Sequence, residues 1–107
     1  MIDLKNDENL LQAFKNNQKV LNAIGDETRQ AIIITLMQGT RTPGMRVGEV
    51  TERANLSRPA VSHQLKILKE AQIINVRKQG TKNFYHLNSI SKLKQLKALI
   101  ELLIQCE

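Results

Sequence analysis

The segment VGEVTERANLSRPAVSHQLKILKEA, residues 47–71, decides the fold of this chain. It predicts two short helices joined by a tight turn at residues 55–57. In the second helix Val61, Leu65 and Leu68 recur at spacings of four and three, which is the pattern of a single buried stripe. The segment therefore predicts a helix-turn-helix.

The polar side of the second helix carries small hydrogen-bonding groups and basic groups. Ser57 is the predicted N-cap, and Pro59 falls in the first turn, where its missing N–H costs nothing. A short helix of this kind, held by its neighbour, suits the major groove of DNA, where Arg58 could bond bidentately to guanine. The residues predicted to contact DNA from this helix are Ser57, Arg58, Pro59, Ser62, His63, Gln64 and Lys66.

The net charge of +6 is concentrated on one part of the chain. Residues 1–45 carry five basic and five acidic side chains, whereas residues 46–85 carry eight Lys and Arg against three Glu. A generally solvated basic surface would spread this charge evenly. A polyanionic partner, double-stranded DNA, is the simplest reason for the placement.

A basic β-hairpin is predicted after the helix-turn-helix. The β-prone segments 73–77 and 83–87 flank a Gly-containing connection at residues 78–82. Arg77 stands at the base of this hairpin, and Lys78 and Lys82 stand at its tip. We expect these three residues to contact DNA as a wing, which rests on the phosphates or enters the adjacent minor groove. Taken alone, Arg58 and Lys66 would be ordinary solvated charges, but beside this wing DNA contact is favoured.

Two helices are predicted before the helix-turn-helix. The first covers about residues 8–23 and can break near residues 16–17, where two asparagines of low helix propensity adjoin. The second begins after the N-cap Asp26 and continues through Gln38, with Gly39 as its C-terminal stop. Residues 40–45 then contain Pro-Gly and form the clearest predicted loop.

A last helix is predicted over about residues 89–105, with Ser89 as its cap. Its apolar face is wider than one small domain needs to cover, so part of it is expected to meet a partner helix. The prediction for residues 1–107 is therefore a single, mainly α domain with a small β-hairpin wing. Its element order is α-α-α-α-β-β-α, that of a winged helix-turn-helix.

Composition disfavours several other classes of protein. The N-terminus MIDLKNDENL has no apolar core, and no apolar run is long enough to span a bilayer, so neither a signal peptide nor a membrane partner is expected. Cys106 is the only cysteine, which excludes a disulfide within the chain and favours a reducing, cytoplasmic setting. No nucleophile–base pair or glycine-rich phosphate loop is present, so neither an enzyme nor a bound cofactor is expected.

Two long motifs resemble those of the ArsR family of winged-helix repressors. LNAIGDETRQAIIITL, residues 21–36, resembles the family's L-x-D-x-T-R-x-x-I-L-x-x-L helix, and LSRPAVSHQLKILKEAQII, residues 56–74, resembles its L-S-x-x-x-V-S-x-H-L-x-x-L-x-x-A-G-L-V segment. The resemblance implies a homodimer that binds a palindromic operator and represses transcription, with the terminal helices as the dimer interface. The implied dimerisation residues are Leu10, Leu11, Phe14, Leu93, Leu96, Ile100 and Leu103.

The sequence departs from the family pattern at four informative positions. Gln64 stands where the family often has a second His. Gln72 stands where the family usually has a Gly, directly after the second helix of the helix-turn-helix. Metal-sensing members carry a Cys-x-Cys pair where this chain has Arg46 and Gly48, which cannot ligate a soft metal. The last helix also has no His and a single acid, Glu101, so no metal is expected.

Two alternatives remain open from the sequence. Cys106 could pair with its mate across a dimer, or it could be an ordinary tail residue. The chain could also be a winged-helix protein-interaction module without DNA binding. Such a module would normally carry acids or apolar groups on the outer face of its second helix, and the charge distribution here favours DNA instead.

Overall fold

Six helices and one β-hairpin make up the computed structural model, which describes residues 4–39, 43–87 and 90–105, with side chains from residue 8 onward. The order confirms the predicted winged helix-turn-helix, with the first predicted helix divided in two. The elements are α1 (Leu4–Asn16), α2 (Gln18–Ile24), α3 (Glu27–Gln38), α4 (Val47–Ala54), α5 (Arg58–Glu70), β1 (Ile74–Gln79), β2 (Lys82–Leu87) and α6 (Ile90–Ile104).

The predicted break in the first helix is confirmed at Asn17. This side chain is buried, and its Nδ2 donates to the carbonyl of Ala13 at 2.7 Å. An amide that bonds its own preceding turn competes with helix continuation, so α1 ends and α2 starts here. The first helix begins at Leu4, earlier than predicted.

Both predicted ends of α3 are confirmed. The Asp26 carboxylate accepts from the main-chain N–H of Arg29 at 3.0 Å, and the N–H of Gly39 donates to the carbonyl of Thr35 at 3.1 Å. Between these ends, Ile32 and Leu36 are buried against α4 and α5. The helix is thereby fixed as the platform on which the helix-turn-helix packs.

The helix-turn-helix is built around the predicted apolar stripe. Val61, Leu65 and Leu68 of α5 are fully buried, as is Val50 of α4. Burying each such side chain contributes about 1.5–3 kcal/mol, so this contact sets the crossing of the two helices. Ser57 caps α5 as predicted, because its Oγ accepts from the N–H of Ala60 at 3.3 Å.

The end of α5 forms a Schellman motif. The N–H of Gln72 donates to the carbonyl of Lys69 at 2.9 Å, and the N–H of Ile73 donates to that of Leu68 at 3.1 Å. This motif requires a left-handed residue, and Gln72 has a φ of 63°. The family's usual glycine at this position therefore has a clear physical reason, and Gln72 occupies a conformation that favours glycine.

The hairpin is longer and its turn tighter than predicted. The strands pair from Ile74 with Leu87 to Gln79 with Lys82, which leaves only residues 80–81 in the turn. Gly80 has a φ of 65°, which a two-residue hairpin turn demands at this position. The predicted connection at residues 78–82 is therefore wrong in extent, because Lys78 and Lys82 belong to the strands.

The predicted loop before α4 also has a defined end. Met45 pairs with Tyr85 of β2 in an isolated antiparallel bridge, so it adds a short third segment to the hairpin. Long-range pairing of this kind leaves no local pattern in the sequence. The rest of the predicted loop at residues 40–42, the predicted cap Ser89 and Cys106 lie outside the described residues.

The terminal helices α1 and α6 pack on each other and on α2. They extend the molecule to 55 × 24 × 19 Å, with a radius of gyration of 16.4 Å. A compact chain of this length would have a radius of about 13 Å. Within the described ranges, no helix has both the length and the apolar character needed to cross a membrane.

Candidate nucleic-acid interface

The outer face of α5 carries most of the side chains predicted to contact DNA. Its members are all exposed and lie opposite or beside the buried stripe, because a helix separates its faces at 3.6 residues per turn. The exposed residues of this reading face are Ser57, Arg58, Pro59, Ser62, His63 and Lys66. The structure thus brings two basic groups, two hydroxyls and an imidazole onto one surface.

Gln64 is placed differently from the other predicted contacts. It is half-buried, and its Oε1 accepts a hydrogen bond from Nη1 of Arg29 at 2.8 Å. Its carbonyl oxygen is therefore engaged inside the chain, between α3 and α5. Because this partner lies 35 residues earlier, the helical pattern of α5 alone could not have revealed it.

The wing presents its two lysines on opposite faces. Lys78 pairs with Asn83 and Lys82 pairs with Gln79, and both lysines are exposed. Since side chains alternate across a strand, neighbouring positions in this register point to opposite sides of the ribbon. A ribbon of this kind carries positive charge on both sides of its tip.

Arg77 is half-buried at the base of the wing. Its Nη1 donates to the main-chain carbonyl of Pro43 at 3.0 Å. This bond ties β1 to the segment that leads into α4. The DNA contact of Arg77 stays a prediction, whereas the structure gives its Nη1 a partner within the chain.

A cleft of about 560 Å³ connects the reading face to the wing. It lies where the starts of α4 and α5 meet the hairpin tip, and Arg58 forms part of its wall. Its lining residues are Arg46, Val47, Gly48, Glu49, Glu52, Arg58, Thr81 and Asn83. The wing and α5 are therefore parts of one continuous surface.

Sequence reasoning did not identify Thr81 and Asn83 as members of this surface. Thr81 lies in the turn and Asn83 follows it in β2, and their position over α4 depends on the packing of β2 against that helix. The turn signal at Gly80 located the tip of the hairpin. It gave no information about which helix the tip approaches.

Arg46 and Gly48, which stand where metal-sensing members carry a Cys-x-Cys pair, lie at the start of α4. Arg46 is the residue before the helix, and its N–H donates to the Glu49 carboxylate at 3.2 Å. Gly48 is exposed in the first turn. In the part of the chain that the structure describes, no three His, Cys, Asp or Glu side chains form a group that could hold a metal ion.

The predicted dimerisation residues fall into two groups. Leu11, Phe14, Leu93, Ile100 and Leu103 are exposed large apolar side chains on α1 and α6, with Leu11 60 % exposed. Leu10 is half-buried, whereas Leu96 is only 8 % exposed and packs in the core of its own chain. Leu96 therefore supports α6 from inside, because the helix has one buried stripe and one open face.

Known proteins resemble this chain in sequence and in fold. The chain is 39 % identical over 70 residues to the transcriptional repressor SdpR of Bacillus subtilis, which covers 65 % of this chain and 73 % of SdpR. It is 35 % identical over 98 residues to the transcriptional activator HlyU of Vibrio cholerae, which covers 89 % of this chain and 83 % of HlyU.

A solved structure with the same fold is the homodimeric winged helix-turn-helix DNA-binding domain Mb0332 of Mycobacterium bovis. It has a TM-score of 0.62 and 21 % identity, over 98 % of this chain and 88 % of that domain. The model of the bacterial regulatory protein arsR family matches residues 26–76, which include α3, the helix-turn-helix and the start of the wing. This chain belongs to the arsR family of bacterial regulatory proteins.

Proposed function

We propose that this protein is a homodimeric transcriptional repressor that binds a palindromic DNA operator. The observation that carries the proposal is the single surface formed by the reading face of α5 and the basic wing. Arg58 stands where these two parts meet, in the wall of the cleft between them. In this arrangement α5 enters the major groove and the hairpin lies on the neighbouring phosphates.

The electrostatics of this surface suit a polyanion. Most of the net charge of +6 lies between residues 46 and 85, the segment that contains α4, α5 and the wing. Lys66 on α5 and the two wing lysines are exposed and can each neutralise a phosphate. This distribution favours DNA over an uncharged or basic protein partner.

A second copy of the chain is the expected occupant of the exposed apolar face on α1 and α6. Ile90, Leu93, Ile100 and Ile104 lie open along α6, and Leu11 lies open on the adjoining α1. The elongated shape leaves this face unused by the chain's own core. The homodimeric Mb0332 domain, which shares the fold, supports the same assembly.

A two-fold symmetric dimer requires a palindromic operator. Two-fold symmetry places two copies of α5 in successive major grooves, about 34–36 Å or ten base pairs apart. Repression follows if the occupied operator overlaps the promoter. The similarity to SdpR supports repression, whereas HlyU carries the name of an activator, and a reporter assay distinguishes the two directions of regulation.

The start of α4 offers no ligands for a soft metal. The side chains there are those of Arg46 and Gly48, and neither supplies a thiolate or imidazole. We propose that no soft metal bound at that position controls this regulator.

Footprinting on genomic fragments, beginning with the protein's own promoter, tests the proposal. We expect two protected half-sites related by a dyad and spaced by one helical turn. A reporter driven by the same promoter should become more active when the regulator is deleted. Equal protection of every DNA sequence would contradict the proposed operator. A fall in reporter activity on deletion of the regulator would contradict repression.

A further inference from the structure

Arg29 lies at the junction of three helices and is 15 % exposed at its side chain. Its Nε donates to the carbonyl of Ala23 at 2.8 Å, and its Nη2 donates to the carbonyl of Asn22 at 2.9 Å. These carbonyls belong to the last turn of α2 and have no partner within that helix. The guanidinium therefore caps the C-terminus of α2, where a positive charge is favoured.

The third nitrogen of the Arg29 guanidinium reaches α5. Nη1 bonds Oε1 of Gln64 at 2.8 Å, in the middle of α5. Arg29 is itself held by Asp26, whose carboxylate accepts from the Arg29 main-chain N–H at 3.0 Å and lies 4.0 Å from Nη1. Two carbonyls of α2 and the nearby Asp26 carboxylate thus hold the guanidinium where it bonds Gln64.

We infer that Arg29, acting through Gln64, is a positioning residue that sets the rotation of α5 about its own axis. The apolar stripe of α5 fixes the side of the helix that faces the core, but dispersion and burial have little directionality. A hydrogen bond to a planar, anchored guanidinium is directional and defines the rotation more sharply. This inference rests on the proposed reading of DNA by α5.

The rotation of α5 determines where the two residues just before Gln64 point. Ser62 and His63 lie within one turn of it and are exposed on the outer side of α5. A rotation of the helix would move both side chains relative to the base edges, while the contacts of wing lysines with phosphates would stay in place. Loss of the Arg29–Gln64 bond should therefore reduce sequence discrimination more than general affinity for DNA.

A double-mutant cycle tests this inference. Arg29→Met, Gln64→Ala and the double variant are compared with the unmutated protein. The probes are a duplex from its own promoter that it protects and a scrambled duplex of equal composition, used at a temperature where circular dichroism shows every variant folded. Each single change should lower the ratio of promoter to scrambled affinity about five- to tenfold, and the double variant should lose no more than either single one.

Gln30→Ala is the matched control. The Gln30 side chain also caps α2, since its Nε2 donates to the carbonyl of Ile24 at 2.8 Å. This variant should lose stability without losing discrimination, because its bonded partner lies on α2 and not on α5. Losses that multiply in the double variant would overturn the inference, since they would show that Gln64 meets DNA independently of Arg29. Unchanged ratios in both single variants would overturn it as well.

A measurement without DNA separates this inference from the proposed function. Amide hydrogen exchange in the free protein should become faster over residues 61–66 in Arg29→Met and stay unchanged there in Gln30→Ala. Equal exchange in the two variants would refute the positioning role even if DNA binding is confirmed. If the unmutated protein binds the two duplexes equally, the proposed operator is wrong. Amide hydrogen exchange over residues 61–66 then still tests whether Arg29 holds α5.

Discussion

Met45 and Tyr85 exchange two main-chain hydrogen bonds, one of 2.8 Å from the N–H of Met45 and one of 2.7 Å from the N–H of Tyr85. The two bonds join the segment that enters α4 to the middle of β2. The wing is therefore attached directly to the helix-turn-helix on two sides, through β1 after α5 and through this bridge before α4. Any change that breaks the bridge should disturb both the stability of the domain and the position of the wing.

Gly44→Ala should break this bridge. Gly44 has a φ of 109°, and an added Cβ would lie 2.6 Å from the carbonyl oxygen of Tyr85. We expect the free energy of unfolding to fall by about 2 kcal/mol or more, measured by urea denaturation. Gly48→Ala is the control: it lies in α4 with open space around it, so it should gain about 0.5–1 kcal/mol. Equal effects would contradict the close approach at Gly44.

Gln72→Gly should stabilise the protein. The residue has a φ of 63° in the Schellman motif that ends α5, a conformation that costs a side chain about 1 kcal/mol or more. Part of this gain is offset by the greater freedom of glycine in the unfolded chain, so we expect a net increase of up to about 1 kcal/mol. Thermal unfolding measures it.

Ala71→Gly is the matched control for that change. Ala71 precedes Gln72 and has a φ of −79°, which any residue adopts. This variant should lose more than the about 0.5–1 kcal/mol of glycine's entropic cost, because Ala71 is also buried and its methyl group is removed from the core. A lower melting temperature for Gln72→Gly would show that the positive φ of Gln72 does not destabilise the protein.

Arg58→Ala should weaken specific binding more than non-specific binding. Arg58 is exposed at the start of α5, beside the cleft that faces the wing. A bidentate contact to guanine contributes about 1–3 kcal/mol of discrimination. Gel shifts with protected and scrambled DNA measure the difference, with the exposed Lys94→Ala on α6 as the control. Equal losses on the two DNAs would rule out base contact.

Lys78→Ala and Lys82→Ala together should flatten the salt dependence of DNA binding. The two side chains project from opposite faces of the wing, so each can meet its own phosphate. The slope of log K against log salt should become less negative by about 1 for each lysine removed. The paired control is Lys94→Ala with Lys97→Ala on α6. An unchanged slope in the wing variant would place its lysines away from DNA.

Ile100→Glu should prevent dimerisation. Ile100 is exposed on α6 within the apolar face assigned to a second copy, and burying an unpaired carboxylate there is costly. We expect the dimer dissociation constant to rise at least about tenfold, measured by sedimentation equilibrium. Ile34→Glu on α3 is the control, since Ile34 is 52 % exposed but lies on neither terminal helix. A dimer that persists in Ile100→Glu would move the interface elsewhere.

The features that the sequence predicted correctly depend on short-range physics. The caps at Asp26 and Ser57 bond amides three residues away, and the stripe of Val61, Leu65 and Leu68 follows from helical periodicity. The break at Asn17 was likewise predicted from local propensity. The extent of the hairpin was not, because strand ends are set by cross-strand pairing and not by the preference of each residue.

The helix-turn-helix at residues 47–71, its polar outer face and its basic wing were determined by the sequence alone, because the apolar period, the capping residues and the placement of charge are all local properties. Only the tertiary structure decided that Arg29 holds Gln64, that Met45 joins Tyr85 and that Leu96 faces its own core. Each of these contacts joins residues far apart in the chain. Their partners are selected by how the helices pack, and no periodicity in the sequence records that choice.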